Sequence, residues 1–582
     1  MKLTKKQILN LENEAKQFRN EIIDSVSRNG GHLSSNLGVV ELTMAIHNVF
    51  DLPNDVLIFD VSHQCYTHKL LTNRSLEKMG ELGKISGFTD PNESEYDTYS
   101  TGHSSTSLSF GIGEAIKNQK LGLKRAIVVV IGDAAINNGL AIEALNYLSA
   151  HKELKVIIIV NDNNMSISPT STGITKSLNR FRATRKKALI YKITPKFMHP
   201  LWNWMKRIIK GMFYKRNFFD AFNIKYFAGI DGHNFKELYK YLSFAKKYNE
   251  SIILHVNTIK GKGYKFAEED KLGKWHNVGP FDKETGEFLT KEDLVGPHLC
   301  NHLIKINEEN NNIKVITAAM SLGNGIESFK ERFPNDFIDV GIAEDSAVAI
   351  AASIADQKII PFVFIYSSFL QRSYDQIIND VARCNKKVIF MVDRSGIIAK
   401  DGSHHQGIFD LSILSPIPNL TILAPSSINE AIQMIDYAIK IDGPVVIRYP
   451  KSLMTNYNYN FDGNWQEIYP INNYNVITYN SGLEECMNGL KDLNVGLINA
   501  SIIKPLDVAF LNRLNNKSLI IYEEVTNHGG LFDLINYEIN KNNLNIDLIQ
   551  IAVKDTYLES GLKEELKNKY HLGIDEIKKY IK

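Results

Sequence analysis

The chain returns repeatedly to one device: a short run of apolar, mostly β-branched residues, followed by a stretch with helical spacing. Such runs lie at 125–132 (RAIVVVIG), 154–160 (LKVIIIV), 251–258, 387–392 (KVIFMV), 444–449 (PVVIRY), 519–522 and 548–553. They do not alternate apolar with polar, so neither face of the strand they would form is meant for water. A strand reads this way when helices cover both sides of a parallel sheet. The intervening segments, such as 140–152, have the spacing of amphipathic helices, and strand alternating with helix predicts an α/β architecture of mainly parallel sheets.

A chain of 582 residues holds more than one core. A polar, turn-rich stretch at 280–296 and an Asn/Tyr/Gly-rich stretch at 456–465 divide it into expected domains of 1–290, 297–455 and 466–582. The net charge of +2 argues against a dedicated nucleic-acid binder. Cys65, Cys300, Cys384 and Cys486 are far apart and form no CxxC pair, which fits a reducing, cytoplasmic setting. The N-terminal stretch has no apolar core of a secretory signal, and no uncharged apolar run is long enough for an integral membrane segment. One region departs in charge. Between Asp162 and Asp220 there is no acidic residue, while Arg185, Lys186, Lys187, Lys206 and Arg207 are among many basic ones, beside Trp202 and Trp204. This basic insertion, at about 170–220, reads as a solvated excursion beside the active site, or alternatively as a basic amphipathic helix for anionic lipid.

Several motifs carry chemistry. Gly132-Asp133-Ala134-Ala135 and Asn161-Asp162-Asn163-Asn164-Met165 each follow an apolar run, so they stand at the carboxyl ends of parallel strands, where open α/β sheets bind ligands. Their oxygen donors suit a magnesium–diphosphate clamp, or else serve as helix caps. His32, His63 and His103 lie in Gly/Ser loops where a ligand can approach the backbone closely. Glu344, in Ile342-Ala343-Glu344-Asp345, stands at an expected helix start, where a carboxylate either caps the helix or handles protons. Tyr366-Ser367-Ser368-Phe369-Leu370-Gln371-Arg372, Asp393-Arg394-Ser395-Gly396, Asp401-Gly402-Ser403-His404-His405 and Arg448-Tyr449-Pro450-Lys451 complete the set. Arg394 and Lys451 are candidates for a substrate phosphate, or for surface ion pairs.

In this order, GGHLSSNLG, GHSSTS, NDNNMSIS, IKGKGY, YSSFLQRSYDQ, HHQGIFD, IRYP and IKPLD closely resemble the 1-deoxy-D-xylulose-5-phosphate synthase family of transketolase-like thiamine-diphosphate enzymes. The resemblance runs from about Gly30 to the C-terminus and omits about 170–220. It implies three α/β domains, a homodimer, and thiamine diphosphate with Mg2+ held between the first two domains. It implies a reaction of pyruvate with glyceraldehyde 3-phosphate that releases carbon dioxide. By the same resemblance, Asp133, Asn163 and the Met165 carbonyl are metal ligands. His63, Gly102, His103, Ser104, Ala134, Ala135, Asn163 and Tyr264 contact the cofactor, with Lys260 near its diphosphate. Glu344 hydrogen-bonds the aminopyrimidine ring, and Phe369 packs against it. His32, His276, Tyr366, Arg372, Asp401 and His405 surround the reacting carbons, and Arg394 and Lys451 grip the phosphate.

The chain departs from the family pattern at several places. Ala134 stands where the family has the last glycine of GDG, Ser62 where it has the glycine of VGHQ, and Asp345-Ser346 where it has Gln-His. Asn137 and Asn138 replace smaller residues, and Lys451 stands where arginine is common. These departures leave two other readings in play: a transketolase-like enzyme with a different donor or acceptor, and a non-catalytic homologue that binds cofactor.

Overall fold

The structure, a computed structural model, describes residues 3–163, 218–290, 293–356, 358–455, 457 and 459–581. Met165 and almost all of the basic insertion lie outside the described residues. The chain divides into two compact units, one made of 1–77 and 87–287, the other of 78–86 and 288–582.

In the first unit, β1 (Val56–Phe59), β2 (Ile127–Gly132), β3 (Ile157–Asp162), β4 (Lys225–Asp231) and β5 (Ile252–Asn257) form one sheet in the order β1-β2-β3-β5-β4. Every pairing is parallel. β2 and β3 are buried along nearly their whole length, as two-sided cover by helices requires.

The second unit runs through β6 (Ile313–Thr317), β7 (Phe337–Asp339), β8 (Ile360–Tyr366), β9 (Ile389–Asp393), β10 (Thr421–Leu423) and β11 (Val445–Arg448). It continues through β12 (Gln466–Tyr469), β13 (Tyr474–Thr478), β14 (Gly496–Asn499), β15 (Ile502–Lys504), β16 (Lys517–Thr526) and β17 (Ile546–Val553). Two sheets result, ordered β15-β10-β11-β9-β8-β6-β7 and β12-β14-β13-β16-β17. All pairings are parallel except β10 with β15 and β12 with β14. Each apolar run quoted above forms the body of a strand, so the mainly parallel α/β fold is what the pattern requires. β15 is the exception to a simple division, because a strand from beyond residue 466 completes the sheet of the preceding segment.

Period two is visible in the packing. Ile477, Ile498, Leu519 and Ile521 face the core shared with the β6–β11 sheet, while Val476, Leu497, Ile520 and Tyr522 face a separate core under the C-terminal helices. Each fully buried aliphatic side chain of this kind contributes about 1.5–3 kcal/mol.

A buried ion pair joins the two sheets. Arg448, at the end of β11, donates from Nε and Nη2 to the Asp410 carboxylate at 2.8 and 3.1 Å. Its Nη1 donates to Asn480 Oδ1, just past β13, at 2.7 Å. Asn480 in turn donates to the Pro425 carbonyl. Removing one partner of such a pair strands a charge out of water. Asp410→Asn is therefore expected to cost the second unit about 3–5 kcal/mol, read as a lower denaturant midpoint; an unchanged midpoint would contradict this role.

Candidate functional site

The first unit gathers its polar groups at the carboxyl ends of its strands. Asp60 follows β1 and is buried; it accepts from the Ser105 amide at 2.8 Å and the Ser107 hydroxyl at 2.6 Å. This fixes the loop of Gly102, His103 and Ser104. Ser105, at φ +76°, then donates from its hydroxyl to the Ala135 carbonyl at 2.8 Å, so the histidine loop and the turn after β2 are tied together.

Asp133 is the first residue past β2 and is 3% exposed. Its Oδ2 is buried and meets no hydrogen-bond partner among the described residues. Burial, and then the neighbouring Asp162 carboxylate, push Asp133 up to about 8, with Lys260 opposing. Asp162 is itself held by His255 at 2.7 Å. A buried oxygen without a described donor, beside a second carboxylate, could hold a hard divalent cation. Lys260 follows β5 in the next loop, and burial pulls its ammonium down against the attraction of Asp133.

Three histidines meet here that stand far apart in the chain. The ring centroids of His32 and His63 are 5.0 Å apart, His63 and His276 5.2 Å, and His32 and His276 5.6 Å. Ser35 Oγ bridges His63 Nε2 at 3.2 Å and His276 Nδ1 at 3.3 Å. Asn36 ties the two loops by donating to the carbonyls of His32 and His63. The surrounding protein, and then Lys260 and the other two imidazoles, hold His276 well below the usual imidazole range, so it is neutral near pH 7. Tyr264 packs its ring against Trp275 and Phe281 and donates its hydroxyl to the Lys283 carbonyl.

The departures in this unit are absorbed locally. Ala134 sits at φ −76°, ψ −43°, a right-handed conformation that alanine adopts without strain, so no glycine is needed. Ser62 does occupy positive φ, +64°, but its hydroxyl donates to the Thr101 carbonyl and accepts from the Thr89 amide. Asn138 caps the helix Gly139–Ala150 by accepting from the Leu140 amide, and Asn137 donates to the Asp133 carbonyl.

In the second unit, Glu344 is the first residue of the helix Glu344–Ile354 and is 4% exposed. Burial raises its pKa, and Arg372, 3.8 Å away, opposes that only in part. Asp345 adds a small upward push, but Asp345 and Ser346 both point to the exposed face, so neither blocks the Glu344 carboxylate. Phe369 stands between Tyr366 and His405, at ring distances of 5.7 and 5.5 Å. Asp401 reaches His405 Nδ1 at 3.3 Å.

Arg394 is clamped from several sides. Its guanidinium lies 3.7 Å over the Tyr366 ring, donates to Asp393 at 2.5 Å, and donates to the Gly323 carbonyl at 3.2 Å. A side chain at position 323 would put a Cβ 1.5 Å from the Tyr366 hydroxyl, so this contact demands glycine. The Lys451 side chain is exposed, and its charge acts on the same Asp393 carboxylate. The structure thus brings Tyr366, Phe369, Arg394, Asp401, His405 and Lys451 into one neighbourhood. Asp60, Asp162, Ser35, Asn36, Asp393 and Gly323 were not singled out as site residues from sequence, although Ser35, Asn36, Asp162 and Asp393 lie inside the motifs.

The family model described as 1-deoxy-D-xylulose-5-phosphate synthase matches residues 1–258, and that of transketolase, pyrimidine binding domain, matches 299–456. The 1-deoxy-D-xylulose-5-phosphate synthase of Clostridium tetani is 39% identical over 97% of this chain and 94% of its own. Among solved structures, a transketolase from Leishmania mexicana covers 98% of this chain and 96% of its own, at 15% identity and a TM-score of 0.43. With the 1-deoxy-D-xylulose-5-phosphate synthase of Clostridium acetobutylicum 38% identical over 98% of this chain and 96% of its own, the chain belongs to the 1-deoxy-D-xylulose-5-phosphate synthase family.

Proposed function

We infer that this chain condenses pyruvate with glyceraldehyde 3-phosphate, releasing carbon dioxide, to give 1-deoxy-D-xylulose 5-phosphate in a thiamine-diphosphate-dependent transfer. The observation that carries the reading is Glu344, a carboxylate taken out of water at a helix start and left only partly compensated by Arg372. A carboxylate in that state binds a proton strongly, as the aminopyrimidine ring requires of its partner. Bound thiamine diphosphate supplies the carbanion chemistry that no side chain can.

The other residues take roles their surroundings support. Asp133 and Asn163 would hold Mg2+, with the Met165 carbonyl as a further ligand; the unpartnered Asp133 Oδ2 fits a cation. His63, Gly102, His103, Ser104, Ala134, Ala135, Lys260 and Tyr264 would line the cofactor, and Phe369 would pack on its ring. His32, His276, His405, Asp401, Tyr366 and Arg372 would surround the reacting carbons; of these, neutral His276 is ready to accept a proton. Arg394, held in advance by Tyr366, Asp393 and Gly323, would grip the acceptor phosphate with Lys451, and a fixed cation there positions the aldehyde.

The reading extends to a homodimer and a cytoplasmic site of action. The family resemblance supports the first. The four cysteines, all free, support the second. It also takes 1–290, 297–455 and 466–582 as three domains, because each range holds the strands of one sheet apart from β15.

The test is a product assay with Mg2+, thiamine diphosphate, pyruvate and glyceraldehyde 3-phosphate. Ketose phosphate and carbon dioxide are expected in equal amounts. Carbon dioxide alone would mean another acceptor, and neither product would overturn the reading.

Arg394→Ala is expected to raise the KM for glyceraldehyde 3-phosphate about 10- to 100-fold with little change for pyruvate, since a charge-assisted hydrogen bond is lost to one substrate only. Equal rises for both substrates would contradict the assignment.

Glu344→Gln is expected to lower kcat about 100- to 10,000-fold. Its stability effect has a definite sign. The folded pKa is raised, so the ionised carboxylate lowers stability as pH rises above the ordinary carboxylate range. The variant should therefore melt at or above the parent at pH 8 and equal it near pH 4; a lower melting temperature at pH 8 would refute the burial argument.

A further inference from the structure

His233 lies in the turn after β4, with its side chain 8% exposed. Its Nε2 accepts the Ile259 amide at 2.9 Å, and its Nδ1 is 2.9 Å from Glu41 Oε2. An amide N–H can only donate, so Nε2 carries no proton, and Nδ1 must be the donor to Glu41. Arg19 Nη2 donates to the same Glu41 Oε2 at 2.5 Å. Burial alone would raise Glu41, but His233 and then Arg19 hold it down at about 2, so the acceptor stays ionised.

The target of this chain of bonds is the loop between β5 and Tyr264. The Ile259 side chain is 47% exposed, so packing does not hold it. The loop is otherwise pinned on either side. The Thr258 amide donates to the Asp162 carbonyl, and the Gly261 amide to the Ser34 carbonyl, at 2.9 and 2.8 Å. Arg19 also backs the far end, where a Cβ at Gly263 would come within 2.9 Å of its Cδ. Lys260 stands between the residue that His233 holds and the residue that Ser34 holds.

We propose that His233 is a positioning residue for cofactor binding: joined to Glu41 and Arg19, it holds the Ile259 backbone so that Lys260 meets the cofactor's diphosphate. This rests on the reading that Lys260 contacts that group.

The test is calorimetric titration of chelator-treated protein with thiamine diphosphate and Mg2+, which reads binding and not turnover. Lys260→Ala should weaken binding, and His233→Leu should weaken it roughly 5- to 10-fold. His233→Gln should restore affinity to within about 3-fold, since one amide can accept from Ile259 and donate to Glu41 together. His233→Leu added to Lys260→Ala should cost little more, as both act through one contact. If Lys260→Ala binds like the parent, the diphosphate reading of Lys260 fails. If Lys260→Ala weakens binding while His233→Leu does not, or if Gln loses as much as Leu, the positioning role is overturned. Should His233→Leu not fold, His233→Asn, whose shorter amide cannot reach both partners, replaces it with the same expectations.

Discussion

Parallel strands buried on both faces leave a chain few places to put polar chemistry. Side chains along β2, β3, β8 and β9 are shut away from water, so groups that must meet a ligand collect where the strands stop. Asp60 follows β1, Asp133 follows β2, Asp162 ends β3, Lys260 follows β5, Tyr366 ends β8 and Arg394 follows β9. Some of the backbone groups there are satisfied by side chains of the site's surroundings, as where Asp60 accepts from the Ser105 amide. Site geometry is therefore a product of sheet order as much as of residue choice.

The buried carboxylates divide by how well they are compensated. Glu41 is met by Arg19 and His233, Asp410 by Arg448, and Asp60 by the Ser105 amide and the Ser107 hydroxyl. These hold loops and sheets together. Asp133 and Glu344 are buried as deeply, and burial pushes their protonation up, with Lys260 and Arg372 opposing it only in part. Such a cost is tolerated where a ligand can offset it, and the proposed roles of Asp133 and Glu344 rest on that argument.

The places where the chain leaves its family's pattern follow the same logic. Ala134 needs no glycine because its turn is right-handed, whereas Ser62 does sit at positive φ and is secured there by its own hydroxyl. Asp345 changes the field at Glu344 only slightly because its side chain faces outward. Gly323 shows the opposite case: a position where any side chain would collide with the Tyr366 hydroxyl and so release Arg394.

By itself the sequence determined what is local. Apolar runs specified which segments are strands, and so placed Asp133 and Asn163 at strand ends; the small, apolar surroundings of Glu344 placed it at a helix start. Periodicity and burial act over a few residues, and a reader can follow them along the chain. The motifs carried the family as well. Tertiary structure alone decided the meetings. His32, His63 and His276 become a triangle, β15 joins a sheet formed by the segment before it, and His233 reaches the residue before Lys260. These depend on which strand lies beside which and on where each loop is tied, and no spacing in the chain encodes a contact between residues separated by long stretches of packed core.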